Sequence, residues 1–276
     1  MNIFFKSNLF VSLCTASLTW LTYILSGLSP VFDVIYIVFF STLFVYSFHR
    51  LVKFYGIKPS LSSDVNPGIK NLLLIISALS IAFLIPLIYN KSFSFITFFL
   101  ISGLLTLWYT MSFIKTRKGH LTLRRIPFLK LILISSIWTL MTVSFPLLDN
   151  NFSGNYWILF AERFFFIMSI TIPFDIRDIR ADKEEGLKTF PTYYGIPFMK
   201  KISIYLSILF MGLVMYGYFL GMHNLMFSIA LLISTISTII MLSSVKEKNK
   251  TLFYDFGMEG MSILQFLLVM SASYFL

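Results

Sequence analysis

The chain has 276 residues, 57% hydrophobic, 18% aromatic and only 12% charged, with a mean hydropathy of +0.83 and a formal net charge of +10. A soluble domain carries about 25% charged residues, so this composition excludes one and requires a multi-span membrane protein. Alternating ten-residue segments are absent, which excludes a β-barrel. The single Cys14 excludes an intrachain disulfide.

In chain order, nine apolar stretches read as membrane-spanning helices: 8–28, 31–54, 70–89, 93–114, 127–148, 153–174, 199–220, 224–243 and 254–275. Each is long enough to cross a hydrocarbon layer of about 30 Å. Only helices satisfy their own backbone groups in lipid, so the expected fold is all-α: one membrane bundle of nine helices over residues 1–276. The first stretch follows Lys6, exceeds a signal-peptide core in length and lacks a small-residue cleavage site, so it is expected to be retained. With the N-terminus in the cytosol, all of the 22 Lys and Arg except Lys91 and Arg163 fall on the cytosolic side. The positive-inside rule therefore predicts N-in, C-out, in the cell inner (plasma) membrane, with the loops after even-numbered spans cytosolic. The same asymmetry, together with anionic lipid, accounts for the net +10. Nucleic acid is excluded as a partner because no soluble basic domain exists to carry a groove.

Span 2 ends in Tyr46-Ser47-Phe48-His49-Arg50-Leu51-Val52-Lys53, without a carboxylate. Tyr109 closes span 4 and reads either as a site residue or as an interfacial aromatic. The following loop, 115–126, is strongly basic, which suits topology and lipid headgroups. Arg124 and Arg125, just before Pro127, are the better candidates for a phosphate clamp, because guanidinium binds phosphate oxygens bidentately. Glu162 and Arg163 sit within span 6, where charges line a cavity, pair or, for Arg163, snorkel to an interface.

Span 6 leads into Asp175, Asp178 and Asp182, spaced i, i+3, i+7. On one helix these positions fall within roughly 60° of each other. Three aligned negative charges repel unless a cation sits against them. Carboxylates are hard ligands for Mg²⁺, which commonly joins one or two of them to substrate phosphates. The pattern predicts a metal–diphosphate site at a membrane surface. The competing reading is a solvated helix end, since Arg177, Arg180 and Lys183 are interleaved. Asp255 and Glu259, at i and i+4, open span 9 and either face a cavity or stabilise the helix start.

The run Asp175-Ile176-Arg177-Asp178-Ile179-Arg180-Ala181-Asp182-Lys183-Glu184-Glu185-Gly186-Leu187-Lys188-Thr189-Phe190-Pro191 resembles the second aspartate-rich motif of the UbiA superfamily of intramembrane prenyltransferases. Trp108-Tyr109-Thr110 followed by Leu123-Arg124-Arg125-Ile126-Pro127 is similar to a second stretch of that family. The resemblance implies Mg²⁺-dependent ionisation of an isoprenoid diphosphate and transfer of its prenyl group to a hydrophobic, aromatic or lipid acceptor in the bilayer. It assigns Asp175, Asp178 and Asp182 as catalytic metal ligands, and Arg124, Arg125, Lys188 and Tyr109 to the diphosphate. One departure stands out. The family's first motif, N-D-x-x-D at the end of span 2, is replaced here by His49, Arg50 and Lys53, which would contact the diphosphate directly in place of a metal. Altered or lost activity is the opposing expectation, leaving an isoprenoid- or lipid-binding protein. A terpene cyclase of the same fold is a variant of the same chemistry, and a transporter marked by Glu162 and Arg163 is a third class.

Overall fold

The computed structural model describes residues 7–56, 67–110, 114–116, 119–121, 129–150, 156–184, 190–247 and 249–275, with side chains at 7–52, 68–106, 129–150, 156–180, 182–184, 190–247 and 249–275. The elements are α1 Leu9–Leu25, α2 Phe32–Gly56, α3 Pro67–Tyr89, α4 Phe93–Thr110, β1 Ile114–Thr116 and β2 Gly119–Leu121. They continue with α5 Leu129–Asp149, α6 Trp157–Arg177, α7 Ile179–Glu184, α8 Phe190–Tyr194, α9 Ile196–Phe219, α10 Leu225–Ser243 and α11 Phe253–Ser273.

Seven of these helices (α2, α3, α5, α6, α9, α10 and α11) are long and apolar enough to cross a membrane, while Leu9–Leu25 and Phe93–Thr106 are shorter apolar helices. The chain is thus a multi-pass, helical membrane protein, with seven of the nine expected spans long and apolar enough to cross among the described residues. The described helix of predicted span 4 is Phe93–Thr110. The chain then forms a small antiparallel hairpin that pairs Ile114 with Leu121 and Thr116 with Gly119, the one departure from an all-helical fold among the described residues.

The helices close into a ring. α1 packs on α2 and α11, α11 on α10, α10 on α9, α9 on α6, and α6 on α5; α3 lies outside α2, and α4 reaches both α2 and α5. Core residues of α1, α5, α6, α9, α10 and α11 form one apolar cluster, including Leu18, Phe166, Phe210 and Val269. A second joins α1 to α5 around Tyr23, Ile37, Phe95 and Phe145. The outer faces of α3 and α4 leave Ile75, Leu79, Ile85 and Leu104 exposed, as lipid-facing helices do.

Two interior prolines show how the ring is tied. A proline donates no hydrogen bond, so the carbonyl four residues earlier loses its partner, and no water is available in lipid to replace it. For Pro173 in α6 the orphan is the Ser169 carbonyl, which accepts from the Ser203 hydroxyl of α9. For Pro146 in α5 it is the Thr142 carbonyl, inside the π-helical turn Leu140–Ser144, and the Thr22 hydroxyl of α1 donates to it at 2.7 Å. Interhelical bonds of this kind contribute about 0.6–2 kcal/mol each. The first of them fixes the last turn of α6, where Asp175 lies.

Glu162 and Arg163 do not snorkel. Both are buried: His223 Nε2, in the turn between α9 and α10, lies 2.9 Å from Glu162 Oε1, and Arg163 donates to Thr22 Oγ1 at 3.3 Å and Gln265 Oε1 at 3.4 Å. These pairs link α6 to α1, α11 and the α9–α10 turn. That accounts for the charges without a transport pathway.

Candidate active site

Asp175 occupies the last turn of α6, nearly fully buried, and forms an ion pair with Lys130 at the start of α5. The helix does not run on as the aspartate spacing predicts. Asp178 caps it with φ −87° and ψ 1°, its amide donating to the Phe174 carbonyl at 3.0 Å. The chain then re-enters a helix, α7, whose Asp182 amide donates to the Asp178 carbonyl at 2.9 Å. The single acidic face is therefore broken at Asp178. Asp175 and Asp178 line the central cavity, whereas Asp182 is fully buried on α7 and is not among the lining residues.

Arg177 holds the break in place. Its Nε donates to Asp178 Oδ1 at 2.9 Å and its Nη1 to Asp255 Oδ1 at 3.0 Å. The guanidinium also lies 5.1 Å from the Phe174 ring centroid and 5.8 Å from that of Tyr254. Interleaving alone had cast Arg177 as a solvated charge; it is instead the bridge between α6 and α11. Arg180 does have the solvated role, pairing with Glu247 at 2.5 Å on the surface. Asp255 sits in a π-helical opening turn, Phe253–Met258, and both it and Glu259 face the cavity rather than merely capping the helix. π-turns of this kind are frequent at functional sites.

The cavity has a volume of about 520 Å³. Its lining is graded along α2, α5 and α6. α2 contributes Ser41 and Val45 and ends with His49 and Arg50; α5 begins with Lys130 and continues through Leu133, Ile137, Trp138 and Met141; α6 runs from Ile167 and Ile170 to Asp175 and Asp178. The charges thus gather toward one end and the apolar wall toward the other. Arg50 donates to Asn8 Oδ1 at 3.4 Å, and Asn8, in the left-handed region at φ 62°, donates to Ser47 Oγ at 3.1 Å. This latch holds α2 to the start of α1 and keeps Arg50 at the cavity. Across it, Arg50 and Asp255 attract each other.

The structure thus brings Asp175, Asp178, His49 and Arg50 together at one cavity. Lys53 and Tyr109 lie on α2 and α4, with side chains outside the described residues, and Arg124, Arg125 and Lys188 lie outside them altogether. Sequence reasoning missed Lys130 and the bridging role of Arg177. Lys130 had a signal, a lone ammonium inside the apolar run that opens span 5, where charges mark function or a buried partner.

Among the described residues no three His, Cys, Asp or Glu side chains are close enough to hold a metal by themselves. Two carboxylates at the charged end do fit the way Mg²⁺ usually binds, through one or two carboxylates with phosphate oxygens and water completing its octahedron. The donor set therefore suits a metal that arrives with a phosphorylated ligand, held by Asp175 and Asp178.

A ring of membrane helices thus surrounds a cavity that is charged toward one end and apolar along its depth. The UbiA prenyltransferase family model matches residues 67–257, and the chain belongs to that family. Solved structures share the fold. A UbiA homologue from Archaeoglobus fulgidus bound to DMAPP and Mg²⁺ superposes with a TM-score of 0.66 at 14% identity, covering 100% of both chains. The same homologue bound to GPP and Mg²⁺ gives 0.64 at 13%, covering 97% of this chain and 99% of the other. A digeranylgeranylglyceryl phosphate synthase gives 0.61 at 18%, covering 99% of each. No curated protein sequence matches the chain.

Proposed function

We propose that the chain, as one domain over residues 1–276, transfers a prenyl group from an isoprenoid diphosphate to a hydrophobic acceptor within the membrane, with Mg²⁺. The observation that carries this reading is the graded cavity, with Asp175 and Asp178 beside Lys130, Arg177 and Arg50 at its charged end. Family membership supports it, as do the relatives of the same fold bound to GPP or DMAPP with Mg²⁺.

Asp175 and Asp178 would hold Mg²⁺, which supplies charge stabilisation for a departing diphosphate. Lys130, Arg177 and Arg50 offer fixed cations to the same oxygens, most effective where water is excluded. The apolar wall takes the prenyl tail. Phe10, Tyr46, Trp138 and Phe174 line the cavity, and their ring faces can shelter an allylic cation. Arg124, Arg125, Lys188, Lys53, His49 and Tyr109 complete the proposed diphosphate contacts, and Asp182 acts on the site through its charge beside Asp175.

Purified protein incubated with geranyl diphosphate is expected to release diphosphate with Mg²⁺ and to stop with a chelator. Metal-independent binding without release would favour a second reading, an isoprenoid-binding protein without turnover. The Lys130–Asp175 ion pair is what favours that alternative, because it occupies a carboxylate the metal would need.

The proposed orientation is N-in and C-out in the plasma membrane, with the charged end of the cavity cytosolic, as the Lys and Arg distribution supports. A reporter fused after Leu276 should then read as extracytoplasmic and one inserted at Lys118 as cytosolic. A cytosolic C-terminus would overturn this topology.

A further inference from the structure

Four carboxylates line the cavity: Asp175, Asp178, Asp255 and Glu259. Three are already matched with cations. Asp175 pairs with Lys130, and Asp178 and Asp255 share Arg177. Glu259 alone has a carboxylate with no hydrogen bond or ion pair among the described residues, Arg177 attracting it only from beyond contact distance. Its backbone is nonetheless well anchored, because the Cys14 thiol of α1 donates to its carbonyl at 3.3 Å.

Its depth matters as much as its lack of a partner. Asp255 is level with Asp178, since one guanidinium reaches both. Glu259 follows four residues later on α11, about one helical turn, roughly 5 Å, toward the apolar wall. In an allylic diphosphate the reacting carbon is bonded directly to the head group, so it sits just inside the charged end. Glu259 is therefore at the level of bond formation, one turn inward from the groups that suit the diphosphate.

We infer that Glu259 is the proton acceptor of the reaction and that the acceptor substrate is a hydrophobic molecule that attacks through a group X–H: a hydroxyl, an amine or an activated ring carbon. This rests on the prenyl-transfer reading above. The bond between the allylic carbon and the diphosphate oxygen breaks, and the oxygen keeps the electron pair. The nucleophile X supplies the pair for the new bond to carbon. The proton of X–H passes to a Glu259 Oε and leaves later on water or diphosphate. A positioned carboxylate acting this way contributes typically about 10²–10⁴-fold. When no acceptor is present, the same carboxylate would take a proton from the carbon next to the allylic cation and leave a hydrocarbon with a conjugated diene, whereas capture by water gives the alcohol.

The test uses purified full-length protein with Mg²⁺, radiolabelled geranyl diphosphate and a total lipid extract of the cells that make the protein, and it follows diphosphate release and every organic product. Glu259→Gln keeps shape but not basicity. It is expected to lower prenylated lipid plus diene by at least about 10²-fold relative to diphosphate released, with the alcohol taking their place and Glu259→Asp restoring part of the loss. Parallel loss of release and products in Glu259→Gln would make Glu259 part of ionisation and overturn the assignment, as would an unchanged product ratio. A wild-type chain that releases diphosphate yet gives only the alcohol overturns it too, because a carboxylate at that carbon would leave a diene. A wild-type chain that releases no diphosphate fails one step earlier and overturns the prenyl-transfer reading itself.

Discussion

Asp175→Asn and Asp178→Asn are each expected to reduce Mg²⁺-dependent diphosphate release by at least about 10²-fold, the range for losing one electrostatic stabiliser of a transition state. The substitutions keep the size of the side chain and remove its charge, so a metal–diphosphate complex loses one of its protein ligands. The two positions should differ in stability. Asp178 shares the partly exposed Arg177 with Asp255, so Arg177 keeps a partner when Asp178 is neutralised. Asp175 is nearly buried against Lys130, and neutralising it leaves an ammonium without its counter-charge. Breaking one side of a buried pair costs about 3–5 kcal/mol, so Asp175→Asn should also lower thermal stability in detergent. The double variant Asp175→Asn, Lys130→Met removes both charges and should recover much of that stability while remaining inactive. Recovery of activity along with stability would mean that Asp175 only neutralises Lys130 and is not a ligand. Asp182→Asn should be milder for catalysis, because Asp182 does not line the cavity.

Much of the bundle was legible because membrane helices announce themselves by length and hydropathy. The predicted spans 31–54 and 224–243 lie close to the helices Phe32–Gly56 and Leu225–Ser243. The hairpin at Ile114–Leu121 was not legible, since a basic loop carries no strand periodicity. The acidic motif was recognised by spacing, but spacing assumes a continuous helix. The turn at Asp178 depends on Arg177 reaching across to Asp255, a contact separated by 78 residues in sequence. Lys130 was hidden for a similar reason: counted with the cytosolic charges, it is a buried partner only once α5 packs on α6. Asp255 and Glu259 were seen as a pair, yet helix-start electrostatics explained them equally well until the ring closed and turned them toward Asp178. What a sequence shows poorly is therefore not which residues are charged but which charges face one another across helices.

Arg50→Ala should weaken binding of a non-hydrolysable prenyl diphosphate by about tenfold or more, the range for losing a hydrogen bond to a charged group, and Arg50→Asp should weaken it further by placing like charge beside an anion. The segment that stands where the family has its first motif brings His49 and Arg50 to the same cavity as Asp175 and Asp178. A second metal would need a second set of carboxylates. At the cavity α2 supplies none, its Asp33 lying in the first turn, and on α11 Asp255 is engaged by Arg177 while Glu259 stands alone one turn deeper. Arg50, held at the cavity by Asn8, offers a guanidinium instead, and guanidinium matches phosphate oxygens bidentately. The expected stoichiometry is one Mg²⁺ per bound diphosphate, read by calorimetric titration of Mg²⁺ against the analogue in purified protein. Asn8→Ala should weaken binding less than Arg50→Ala, because it frees the guanidinium without removing it. Two metals per ligand, or an affinity unmoved by Arg50→Asp, would show that the cations of α2 serve topology alone and that the site recruits its second metal from elsewhere.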